Sequence, residues 1–516
     1  MEDGMQEDPS PLTTAPQKPE AAGPHHAGSF LRRPVAVLLA ILLAVLLAGL
    51  GAYYRVGVMV EQRYRELLPA EAAKNNLTLT VTSYNRGIFQ STAQVECSPI
   101  AFGRPAAGSD KEQQTMRIVQ THVIHHGPFC RTDKGWSFHP RLAFIESSTT
   151  VTFDKGPEES RRLQNELAEL FVLRLAAAVN FDNTAEINID NPAGSRTITQ
   201  DGKTLTFNWQ GMTGQFSLSA DRRGAGSLQA PGFELVAGDL RLQISGLQAQ
   251  VDIHQSPAGL SLGDITYTID RIQAENPTGP DPLHFSLTGL RVQSTTREEQ
   301  NKINSTTALG IETINLDNDQ HGPLRMDCEI RNLDAAALVR LQAHFAQLQG
   351  RQQAIDRAEL NQVMLAGLTE FLPAMLKSAP EFEVKQFDIK TRHGDFSWAM
   401  QIKVDGDAAR AMVSPFQLVG AITAQAEMTI SETLLARTLT AINRQQLTKA
   451  WQAGELEAGP DEIDQLAARR SRQQLQDLVA RHLLVKQDDQ IKARATFRQG
   501  RLLVNGWPLD VPSANL

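Results

Sequence analysis

Three histidines, His122, His125 and His126, and three cysteines, Cys97, Cys130 and Cys328, are the side chains here on which metal or redox chemistry could be built. On an extended strand His122 and His126 share a face while His125 points the other way. No Cys or carboxylate nearby completes a tetrahedral set, so the histidines read as structural. The cysteines lack CxxC spacing and read as three buried thiols or, in an oxidising compartment, as one pair, Cys97 with Cys130, that leaves Cys328 unpaired. Hydrolytic and phosphoryl-transfer signatures are missing: there is no G-x-S-x-G elbow, no G-x-x-x-x-G-K-[ST] loop and no H-E-x-x-H pair. Asp461 and Glu462 fall where a helix would start and suit its dipole. The Arg469-Arg470-Ser471-Arg472 cluster has acids nearby and reads as a solvated helix face. No catalytic, cofactor-binding or metal residue is assigned, no cofactor is expected, and the chain is not expected to be an enzyme.

The elements behind these residues begin with an uncharged apolar run, Val35 to Tyr54, behind Arg32-Arg33. About 20 helical residues span roughly 30 Å, the thickness of a bilayer core. The run reads as a membrane anchor, residues 34–55, with a cleavable signal peptide as the rival because Gly49 and Gly51 offer a weak cleavage site. Basic residues flank it almost evenly; Arg32-Arg33 at the entry and Tyr53-Tyr54 at the exit favour a cytoplasmic tail and an exported body. Residues 1–33, broken by Pro9, Pro11, Pro16, Pro19 and Pro24, are expected to form a disordered cytoplasmic tail. The formal charge of -8, with signs interspersed, argues against a nucleic-acid partner.

Beyond the anchor, Val60 to Lys74 has helical character interrupted at Pro69. Strand alternation follows in Leu77, Leu79 and Val81, and again from Met116 to Ile124. Glu158 to Asn180 has the spacing of one amphipathic helix, with Leu163, Leu167, Leu170 and Phe171 inward. The chain then writes one pattern three times: apolar-x-apolar-x-apolar-x-Gly-apolar-x-x-Gln from Leu205, Leu240 and Leu283, with glycines at 211, 246 and 289. Each copy is expected to be a strand bent at its glycine, and the copies to lie side by side as repeat-like units. Asp334 and Ser431 are expected to cap helices, Ile355 to Leu376 to form a further helix, and His393-Gly394 to turn a hairpin. A last hairpin turns at Gln499-Gly500. The fold class is α+β: a transmembrane helix, then a large, mainly antiparallel β-sheet body with helical interludes. The division expected is a strand-rich periplasmic region 56–330 and an α+β periplasmic region 331–516.

Tyr84-Asn85-Arg86-Gly87-Ile88-Phe89-Gln90-Ser91, His126-Gly127-Pro128, Asn332-Leu333-Asp334-Ala335 and Val504-Asn505-Gly506-Trp507-Pro508-Leu509, in order behind an anchor, resemble the YdgA-like family of bacterial envelope proteins. The long Pro-rich tail departs from that pattern. The resemblance implies a single-span inner-membrane protein with a periplasmic body and names no reaction. Three functions follow as expectations. The first is an anchored interaction or scaffold protein, with a second copy or other envelope proteins as partners. The second is a carrier of lipid or another hydrophobic ligand in a sheet groove, by analogy with the similar AsmA-like proteins. The third is an envelope-polymer hydrolase.

Overall fold

The computed structural model describes residues 32–74, 79–102, 114–132, 135–136, 140–153, 158–200, 202–278, 282–317, 319–350, 371–410, 418–454 and 459–509. One antiparallel sheet runs through nearly all of them. Its spatial order follows the chain as a meander of neighbouring strands, apart from Val485–Gln487, which bonds only to Gln490–Arg498, and a separate two-stranded ribbon of Arg131–Thr132 and Gly135–Trp136. It opens with Leu79–Arg86, Gln90–Phe102, Gln114–His126, Ala143–Phe153 and Arg174–Val179. Next come two bent lanes, each split into two strands: Ala185–Asn191 with Gly194–Gln200, and Lys203–Trp209 with Met212–Leu218. The centre is four long strands, Gly224–Ala237, Leu240–Gln255, Ser261–Asn276 and Leu283–Glu299. Another bent lane, Lys302–Ile311 and Thr313–Leu316, leads to Asp319–Asp334. The sheet continues through Glu381–Thr391, Gly394–Val404, Ile422–Ser431 and Gln490–Arg498, and closes with Arg501–Val504 and Trp507–Leu509. Asp319–Asp334 carries it past residue 330 without interruption.

The three glycines of the recurring pattern all take left-handed backbone conformations, at φ +90° for Gly211, +68° for Gly246 and +64° for Gly289. Such angles suit a residue without Cβ. A side chain at 246 would also run into Asp270, and one at 289 into Glu312. The register runs through the bend without a shift, so neighbouring strands bend together. Across it the apolar set changes from even to odd numbers, from Leu242 and Ile244 to Ala249 and Val251, and the register partners change with it, from Ala274 and Ile272 to Tyr267 and Ile265. The strand Ser261–Asn276 is the return strand between the second and third copies.

Helices occupy fewer positions. The first runs unbroken from Arg32 to Lys74 and contains Pro69. The interruption expected at that proline is absent, because most of the helix lies before it and its packed length ends close by at Leu68. The long helix expected over Glu158–Asn180 is corrected as well. Only Glu158–Ala168 is α-helical; a 3-10 turn spans Glu169–Phe171, and Arg174–Val179 is a strand. Leu175, Ala176 and Ala177 pair on both sides, with Ser147, Glu146 and Ile145 and with Ile189, Asn188 and Ile187. Two ladders of backbone hydrogen bonds outweigh the helix preference of three alanines. Asp334 caps Ala335–Gly350 by accepting from the Ala337 N–H at 2.7 Å, and Ser431 caps Glu432–Gln452 by accepting from the Leu434 N–H at 3.2 Å. Most of the helix expected over Ile355–Leu376 lies outside the described residues. Glu432–Gln452 and Pro460–Ala480 form a helical hairpin, clasped where Asn443 donates to Ser471 Oγ at 2.9 Å and to Gln474 Oε1 at 3.2 Å.

Candidate hydrophobic surface and the anchor junction

The register places one continuous row of apolar side chains across nine strands. Ala249 stands opposite Tyr267, and the row continues through Val292, Leu309, Met326, Phe387, Trp398 and Met428 to Ala493. The row one residue over contains none of these types. It reads Gln248, Thr268, Arg291, Gly310, Arg325, Asp388, Ser397, Thr429 and Lys492. Strand side chains alternate between faces, so the sheet has one greasy side and one wet side. A second apolar row flanks the first, where Trp209 opposes Phe233, and Ile244 links through Ile272 and Leu287 to Ile314.

The wet side is laced by charges. Arg331 donates to Glu329 at 2.7 Å, Glu381 at 2.6 Å and Glu383 at 3.0 Å, and Lys385 joins Glu329 at 2.5 Å. These partners hold the Glu329 and Glu381 carboxyls below the usual range, Lys385 acting first on Glu329 and Arg331 on Glu381. Such partly exposed pairs fix the register more than they add stability.

The greasy side is incompletely covered. Tyr267 is 49 % exposed, and Leu240, Leu283 and Leu316 stand open at the strand ends. The described helices meet this face at its margins. Leu170 of the 3-10 turn closes on Gly194, and Leu338 packs with Leu262 and Ile303.

At the N-terminal margin the same face is sealed. Ile41–Glu66 is long and apolar enough to cross a membrane. From Val56 onward, however, the helix also packs on the sheet. Val60 and Tyr64 are buried against Ala93, Val95, Ile124, Leu142 and Ala143, with Val56, Met59 and Leu68 around them. Gly57 lies so close to the His126 ring that an added Cβ would sit 2.8 Å from it.

The histidines lie at this junction with the alternation expected. His122 and His126 are buried on the helix side, whereas His125 faces away and meets Glu146 at 3.1 Å. His126 Nδ1 stands 3.0 Å from the Ile88 carbonyl and Nε2 stands 2.8 Å from Ser91 Oγ. A neutral ring donating from Nδ1 to the carbonyl and accepting at Nε2 from the serine satisfies both contacts. His122 has both ring nitrogens buried without a hydrogen-bond partner and meets Tyr64 edge-on at 5.7 Å. Burial lowers the affinity of both rings for a proton.

Cys97 and Cys130 are both buried free thiols, in keeping with the buried-thiol reading, and the alternative pairing does not occur. Cys97 is in register with Ile118, while Cys130 lies beyond His126 at the other end of that strand. At strand rise, eight residues separate them by roughly 26 Å. Burial pushes the Cys130 thiol up to about 11 and so keeps it protonated.

No single residue signals the apolar face in the sequence. Its only trace is alternation repeated from strand to strand, and register alone turns those repeats into one surface. A family model described as a bacterial protein of unknown function, DUF945, matches residues 34–512. No curated protein and no solved structure matches the chain.

Proposed function

Because the chain belongs to DUF945, a bacterial family of unknown function, we propose a role from its geometry: a membrane-anchored envelope protein that holds acyl chains of lipids along the apolar face of its sheet. The observation that carries this reading is the uninterrupted apolar row from Ala249 to Ala493, in which Tyr267 is exposed and the rest are partly buried, backed by a polar row. Contiguous apolar surface of this extent on a water-soluble body marks a binding site. A 16-carbon chain half covered by such a surface gains roughly 6 kcal/mol at about 0.8 kcal/mol per buried methylene. An open face accepts chains of any length and selects weakly among headgroups, which suits a carrier. In this reading the anchor crosses the bacterial inner membrane, the tail is cytoplasmic and the body periplasmic.

A second copy laid face to face would cover the same rows, and that is the form the interaction-protein reading takes. Both readings meet one experiment. Full-length protein purified in mild detergent is examined by native mass spectrometry and titrated with a nitrobenzoxadiazole-labelled phospholipid. Bound phospholipid that survives detergent exchange, and is lost in the Tyr267→Asp, Leu287→Asp double variant at unchanged thermal stability, supports the carrier. A lipid-free dimer that the same variant dissociates replaces it with the face-to-face interaction.

A further inference from the structure

Ile88, Phe89 and Phe129 are large apolar side chains standing 48 %, 54 % and 42 % exposed at two neighbouring strand ends. Single exposed apolar residues are ordinary on a protein surface. These three surround the point where the anchor helix leaves its apolar run, and they are tied to it. The Tyr53 hydroxyl donates to the Phe129 carbonyl at 2.7 Å, and the Tyr53 ring meets Phe89 edge-on at 5.0 Å. The Arg86 guanidinium lies 5.2 Å from the Tyr54 ring centre. The His126 N–H donates to the Phe89 carbonyl at 2.8 Å, and Gly57 closes over the His126 ring. One unbroken helix links this cluster to the run upstream, so the two loops have little freedom to move away from the plane of Tyr53.

We propose that residues 87–89 and 127–129 form a lip seated in the headgroup layer of the bilayer that the anchor crosses. Aromatic rings with a polar handle collect at that depth, and Tyr53 and Tyr54 mark it on the helix. Phe89 and Phe129 enter the acyl boundary beside them, and the exposed Arg55 is placed for a lipid phosphate, while Arg86 is held by Glu61 at 2.8 Å. The lip sets the ends of the first strands on the membrane surface, so the apolar face begins at the bilayer. This inference rests on the anchor spanning a membrane, and it stands whether or not the face carries lipid.

The test uses the full chain in vesicles of phosphatidylethanolamine and phosphatidylglycerol, with the photo-crosslinker p-benzoylphenylalanine placed singly at Phe89, Phe129, Leu43 or Arg222. Leu43 reports the span, and Arg222 reports a distant turn of the sheet. Lipid adducts at Leu43, Phe89 and Phe129 exceeding those at Arg222 at least tenfold are expected. The adducts at Phe89 and Phe129 should disappear in lipid-depleted detergent, where a carried ligand would persist. Adducts at Leu43 alone, or equal adducts at Arg222, overturn the lip and leave the span intact. No adduct at Leu43 overturns the lip together with the span. Adducts at Phe89 and Phe129 that survive in detergent assign the contact to carried lipid and overturn the bilayer seat.

Discussion

The junction with the N-terminal helix and the centre of the sheet are built from the same alternating strands, yet they end in opposite states. At the junction Val95 and Ile124 have no exposed surface, sealed beneath Val60 and Tyr64 of the helix. In the centre Tyr267 is half exposed on the same side of the same sheet. The difference lies in what covers the face. A helical stripe at Val56, Val60 and Tyr64 converts one end into a core, and the centre keeps its apolar row as a surface. Alternation makes a two-faced strand, and the element laid across it decides whether the greasy face supplies stability or binding.

The largest effect that tests this contrast is a truncation at each place. Ile124→Ala should cost about 2–5 kcal/mol, since a fully buried branched side chain leaves a cavity, while Tyr267→Ala should change stability by less than about 1 kcal/mol. Chemical denaturation of the full-length protein in detergent measures both. Equal losses would mean that the centre is as closed as the junction.

A middle-sized effect probes the bend between the face's halves. Gly289→Ala forces a Cβ into a left-handed position and toward Glu312, for a cost of about 1–3 kcal/mol. Adding Glu312→Ala should recover the steric part and leave about 1 kcal/mol of backbone strain. Full recovery would show that the conformation itself is unstrained.

The smallest effect is acid sensitivity of the junction. Burial lowers the His122 proton affinity in the folded state, so the unfolded chain binds the proton first as pH falls. The stability this neutral ring allows is complete above the ordinary histidine value of about 6.5 and declines below it. Thermal midpoints should fall between pH 7.5 and pH 5, and His122→Leu should flatten that slope. His126 contributes in the same direction through the same cause. A slope unchanged in the His122→Leu, His126→Gln double variant would assign the acid effect to other groups.

Much of the local architecture was legible beforehand. The hairpin at His393-Gly394, the caps at Asp334 and Ser431, the opposed faces of His125 and His126, and the three bent strands followed from period and turn chemistry. Arg174–Val179 was hidden because three alanines favour a helix until strands on both sides supply hydrogen bonds. The separation of Cys97 from Cys130 was hidden for a related reason: a distance along the chain says nothing until register sets which residues stand opposite.

By itself the sequence determined a helix apolar enough for a bilayer, a set of two-faced strands and the glycines at which they bend, because these depend on side-chain type within a few residues. Only the tertiary structure decided that apolar residues of nine strands fall into one continuous row. It also decided that the N-terminal helix continues past Tyr54 to close one end of the apolar face. Strand register and helix docking are pairings between residues far apart in the chain, and local periodicity contains no term for them.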